Sequence, residues 1–167
     1  KNMKHKTFIY TLILSLLFPF ALIADETVNK SPADDREYNI FSLKNGIDVI
    51  TVSDPDLATS AATLSVGVGF FQDPNRAQGI AHFLEHMLFM GSKKYPSPNE
   101  YMEFINQNGG STNAFTAPEQ TTYLFSINSN QFEPALDRLS SSLIEPLFEP
   151  TMVGKEINAV NSEWLLN

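Results

Sequence analysis

The sequence predicts a mixed α+β fold in which a mainly antiparallel sheet packs against helices. Three observations predict it. Alternating apolar runs flank Asn45-Gly46, a strong hairpin signal. Strand-like runs are interleaved with helical apolar periodicity. The 167 residues, 43% of them hydrophobic, suffice for one modest domain with its own core and are too few for two large ones.

The elements follow in order. Lysines in "KNMKHK" precede the apolar run "TFIYTLILSLLFPFALIA", which ends at small Ala24 before acidic "DET". That order predicts a cleaved secretory signal over 1–24, with Met3 as its start. The 17 residues from Phe8 to Ala24 are short for a spanning helix, and Pro19 interrupts them. Leu22 fits the small-residue cleavage rule poorly, so an uncleaved anchor is the alternative. Residues 25–36, "DETVNKSPADDR", read as a flexible lead-in, and 37–167 as the folded part. "YNIFSLKNGIDVITVS" reads as the hairpin, and "SAATLSVGVGF" as a buried third strand rich in small residues.

Residues 79–90 read as the first helix. Ile80, Phe83, Leu84, Met87 and Leu88 form its apolar face, and His82, Glu85, His86 and Phe89 the adjoining one. In the second helix Ser97 is the expected N-cap, Pro98 the first helical residue and Gly109 the stop. "STNAFTAPEQTTYLFSIN" reads as two strands around Pro118-Glu119. A third helix is expected over about 131–144. A fourth starts near Thr151 and is still helical at Asn167, so the chain reads as the opening of a larger domain.

Composition narrows the function. Without the three lysines of the leading segment, 8 Lys+Arg stand against 19 Asp+Glu, a net charge of −11. Such a surface repels phosphates and anionic lipid, which argues against nucleic acid as a partner. With no cysteine, disulfides and thiolate metal ligands are excluded.

Two of the three histidines sit in "HFLEH", His82 and His86, four residues apart. Four residues on a helix bring two side chains to one face with Cβ atoms about 5–6 Å apart. Two imidazoles at that spacing can share one divalent ion. Glu85 points toward the same space and is placed to act as a general base on an activated water. A histidine pair can also be a plain polar edge, and a neighbouring glutamate an ordinary charge partner. The H-x-x-E-H pattern in a histidine-poor chain favours metal binding. A catalytic zinc site needs a third protein ligand. With cysteine absent and His5 in the leading segment, that ligand must be acidic. Glu156 and Glu163, on one face of the last helix and two turns apart, are the candidates. Ile157, Val160 and Trp164 beside them are expected to pack on the core.

The sequence resembles the inverzincins, the pitrilysin/insulysin group of zinc peptidases, over about residues 38–166. The resemblance rests on "DPNRAQGIAHFLEHMLFMGSKKYP", "GGSTNAFTAPEQTTY", "ALDRL" and "EINAVNSEW". It implies that His82, His86 and Glu163 hold one Zn2+, that Glu85 is the catalytic base, and that Glu156 supports the ligands from behind. It implies that Asn113, Ala114 and Phe115 form an edge strand accepting the backbone of a peptide substrate. Binding would then add a strand to the sheet. Resembling proteins build a chamber from several homologous domains, a later one of which contributes an arginine and a tyrosine. Those domains are expected to be needed to close the chamber.

The expected function is therefore that of a zinc-dependent endopeptidase exported across the inner membrane, most simply to a bacterial periplasm. No stable membrane partner is expected once the signal is removed. The alternative is a non-catalytic scaffold subunit or an inactive truncated fragment. Inactive relatives lose the motif that this chain retains.

Overall fold

The computed structural model describes residues 28–166. The expected signal at 1–24 lies outside the described residues, as does the start of the lead-in. The described residues divide into two compact units, 28–53 and 54–166.

In the first unit, β1 (Glu37–Ser42) pairs antiparallel with β2 (Asp48–Ser53), Ile40 opposite Ile50. The connection turns at Gly46, whose φ of 87° is available to glycine at little cost. This is the hairpin that Asn45-Gly46 predicts. Within residues 28–36, Asp34 grips Arg36 through both carboxylate oxygens and accepts the Tyr38 hydroxyl at 2.8 Å.

In the second unit, β3 (Thr59–Val66), β4 (Ser111–Thr116) and β5 (Thr121–Asn128) form an antiparallel sheet in the order β3-β5-β4. β5 is central, and its apolar residues carry the core. Tyr123, Phe125 and Ile127 pack with Leu88 of α1 (Ile80–Leu88), Tyr101 and Ile105 of α2 (Glu100–Gln107), and Ala135 and Leu139 of α3 (Phe132–Ile144). A final helix, α4 (Pro150–Leu166), packs against α1. Among the described residues no helix is long and apolar enough to cross a membrane.

Three expectations need correcting. β3 ends at Val66 and is half exposed rather than buried, because an edge strand has a neighbour on one side only. Ser97 does not cap α2. Its carbonyl accepts Glu100 N–H in a preceding turn, and the first helical bond runs from Glu103 N–H to the Asn99 carbonyl. In α1, Ile80 and Leu84 are exposed while Glu85 is buried with Met87 and Leu88. The helix is thus rotated so that its acid faces the sheet.

Candidate metal centre

The site is built where α1, α4 and β4 meet. The start of α1 is set from a distance. Gly79 has no side chain to cap the helix, and Asp73, six residues earlier, does so instead. Its Oδ2 accepts Gly79 N–H at 2.6 Å and its Oδ1 accepts Ala81 N–H at 3.0 Å. A carboxylate there also complements the positive end of the helix dipole.

One turn further on, His82 and His86 project from one face with their Nε2 atoms 3.2 Å apart. Glu163, from near the end of α4, brings Oε2 to 3.3 Å from His82 Nε2 and 3.7 Å from His86 Nε2. Ligands held at about 2.0–2.1 Å around a tetrahedral ion lie about 3.3 Å from one another, so this triangle has the size of three corners of a zinc site. The three residues are the described group able to hold a metal in this way.

Glu156, two turns before Glu163, accepts a hydrogen bond from His86 Nδ1 at 2.9 Å. A proton on Nδ1 leaves Nε2 with its lone pair free toward the triangle, the arrangement by which an outer carboxylate orients a histidine ligand. The two acids of α4 therefore have separate places. Glu163 stands in the triangle, half exposed, and Glu156 behind His86, only 14% exposed.

Glu85 lies beside the triangle without entering it. It is 6% exposed and accepts the Thr116 hydroxyl at 2.6 Å on Oε2. Across the sheet the Tyr123 hydroxyl is pushed up to about 12, first by burial and then by the charge of Glu85.

His82, Glu85, His86, Thr116 and Glu163 line a cleft of about 900 Å³ whose other wall is β4. β4 stands at the edge of its sheet, paired on one side with β5. Its Asn113, Ala114 and Phe115 all line the cleft, with Phe115 45% exposed. Phe70, Phe89, Met102 and Trp164 supply apolar lining. Trp164 does not pack on the core as expected. It is 76% exposed, because the face of α4 that carries it turns toward the cleft.

All eight residues singled out in the sequence thus fall in or against one cleft. The sequence reading missed Asp73 and Thr116. Asp73 lies outside the usual capping window, although an acid shortly before a helix is a signal worth testing. Nothing local marks Thr116, which reaches Glu85 across 31 residues of sequence.

The family profile described as "Insulinase (Peptidase family M16)" matches residues 48–167. The chain is 48% identical over 134 residues to "Insulin-degrading enzyme-like 1, peroxisomal" of Arabidopsis thaliana, covering 80% of this chain and 14% of that protein. It is 46% identical over 136 residues to "Insulin-degrading enzyme" of Homo sapiens, covering 81% of this chain and 13% of that one. Among solved structures it superposes on a crystal structure of pitrilysin with a TM-score of 0.81 and 42% identity, over 84% of this chain and 15% of that one. The chain therefore spans about one seventh of the length of these relatives. With its mixed fold, antiparallel sheet and helical cover matching over that extent, the chain belongs to the insulinase family of peptidases, family M16.

Proposed function

We propose that the chain carries the zinc centre of an endopeptidase acting on peptides and small polypeptides. The observation that carries this reading is the triangle of His82, His86 and Glu163, whose donor atoms have tetrahedral spacing beside a buried glutamate. Two imidazole nitrogens and one carboxylate oxygen, borderline and hard donors, are a set that zinc accepts in catalytic sites. They leave one corner open, as catalytic sites do. Bound zinc would supply Lewis acidity, polarising a peptide carbonyl and acidifying water to near neutrality.

The residues do the rest. Glu156 holds His86 in the ligating tautomer. Glu85, with Oε2 taken by Thr116, keeps Oε1 to receive a proton from water and pass it to the leaving amine. The unpaired side of β4 at Asn113, Ala114 and Phe115 offers main-chain donors and acceptors to an extended peptide. The relatives' printed names point the same way, toward polypeptide substrates such as insulin. We also infer export, from the basic, apolar and small-residue order of residues 1–24. N-terminal sequencing of the mature product tests that inference.

The test of the site is Glu85→Gln in the full-length protein. The amide keeps the shape and cannot accept the proton. Cleavage of a quenched fluorescent peptide is expected to fall about 10²–10⁴-fold. Zinc affinity, measured against a competing chelator, is expected to hold. Loss of zinc in this variant would make Glu85 a ligand and overturn the assignment. Chelator-insensitive cleavage would overturn the metal reading.

A further inference from the structure

The geometry assigns Thr116 as the positioning residue of the catalytic base: its hydroxyl fixes the Glu85 carboxylate so that one defined oxygen meets the attacking water. This inference rests on the peptidase reading of the cleft.

The argument begins with protons. A threonine hydroxyl has one proton to give and can also accept. Thr116 and Thr121 face each other as a register pair at the end of the β4–β5 ladder, with hydroxyls 3.5 Å apart. Thr121 spends its proton on the Val68 carbonyl at 2.9 Å. The Thr116 proton goes to Glu85 Oε2 at 2.6 Å. A carboxylate accepts only, and a hydrogen bond to a charged acceptor is the stronger kind, so this direction is fixed. Thr121 is itself 6% exposed, which keeps water from competing for its proton.

Placement gives the contact its use. Glu85 comes from α1, the helix that bears both histidines, and Thr116 ends β4, the strand whose free edge is proposed to take the substrate. A substrate strand laid along β4 and the base on α1 are therefore registered to each other through one hydroxyl. Reacting groups must be held to within a fraction of an ångström, and a displacement of about 1 Å can cost 10²-fold. A buried carboxylate on a flexible two-carbon stem needs such a fixed donor.

The test is Thr116→Val, nearly isosteric and equally suited to a strand, with Thr116→Ser to restore the donor and Thr116→Ala should the valine variant not fold. In the zinc-loaded full-length protein, Thr116→Val is expected to lower kcat about 10–100-fold with KM and zinc affinity unchanged. Thr116→Ser is expected to recover most of the loss. Added to Glu85→Gln, Thr116→Val is expected to change the residual rate no further, since there is no base left to align. A second cycle needs no activity. In the zinc-free full-length protein Thr116→Val is expected to lower Tm by a few degrees, and to lower it not at all in a Glu85→Ala background.

An unchanged kcat, a fall confined to KM, or additive losses in the Glu85→Gln background would overturn the inference while leaving the peptidase reading intact. A Glu85→Gln protein with full activity would overturn both. A Tm loss that persists in the Glu85→Ala background would show a contact unrelated to Glu85 and overturn the inference alone.

Discussion

The two helices that meet at the donor triangle are held in different ways. α1 is fixed at its start by Asp73, along its length by Met87 and Leu88 in the core, and at Glu85 by Thr116. α4 rests on α1, with Ile157 45% exposed and Trp164 76% exposed. Its polar hold on the site is Glu156 against His86, together with the place of Glu163 in the triangle. α1 therefore supplies the base and two donors from a fixed wall. α4 supplies the third donor from a wall that docking keeps in place. Catalytic geometry should depend on what supports α1, and metal affinity on what holds α4.

The largest effect expected from this contrast is at Glu163. Glu163→Ala should weaken zinc binding by more than the roughly 10–100-fold typical of losing an outer partner, because a ligand itself is gone. The metal-free protein should unfold within about 0.5 kcal/mol of the parent, since the side chain is half exposed. Competition against a chelator and thermal unfolding measure the two. Retained affinity would place the third donor elsewhere and dissolve the contrast.

Next in size is Glu156. Glu156→Ala should lower zinc affinity about 10–100-fold, because His86 is then no longer held in one tautomer and ring orientation. The effect should be smaller than that of Glu163→Ala. An equal or larger loss would mean that Glu156 is the ligand and Glu163 the support.

Asp73 probes the other wall. Asp73→Ala removes two backbone hydrogen bonds at the start of α1 and should cost about 1–2 kcal/mol of stability. Zinc affinity should change by less than about tenfold, short of what an outer-partner loss costs, because the core and Thr116 still hold the helix. Urea unfolding and the same chelator titration report both quantities. A collapse of zinc affinity with little loss of stability would show that α1 is no better fixed than α4.

How far the sequence showed this in advance follows from the range of each interaction. The hairpin at Asn45-Gly46, the strands around Pro118-Glu119 and the third helix are written in local periodicity and turn chemistry, and they stand where that chemistry put them. The pairing of His82 with His86 follows from the helical repeat alone. Residue types and spacing left Glu156 and Glu163 as equal candidates, and the choice between them came from family resemblance. What periodicity could not show is which way α1 is rolled. Ile80, Leu84 and Glu85 all lie on plausible inward arcs, and tertiary packing buries the glutamate and exposes the other two. Nor could it show Thr116 or Asp73, whose roles arise only when the sheet edge and the loop before α1 are brought to the helix. Trp164 is the reverse case. Its apolar ring argues for a core position, and the cleft takes it instead.

The smallest expected effect concerns the fixed wall from behind. The Tyr123 hydroxyl is pushed up to about 12, by burial first and by the charge of Glu85 second. An unfolded tyrosine titrates near 10. The folded protein thus holds this proton more tightly than the unfolded chain does. The stability it contributes is fully present below about pH 10 and is lost as pH rises toward about 12. Tyr123→Phe removes the titrating group, so the variant should lose less stability between pH 9 and pH 11 than the parent does. Some loss should remain, because burial also raises the Tyr101 hydroxyl. Urea midpoints at the two pH values measure the slope. Glu163→Ala, which touches the other wall, should keep the parent's slope. If Tyr123→Phe kept it too, the alkaline sensitivity would lie outside the sheet beneath Glu85, and the charge of Glu85 would not be felt at Tyr123.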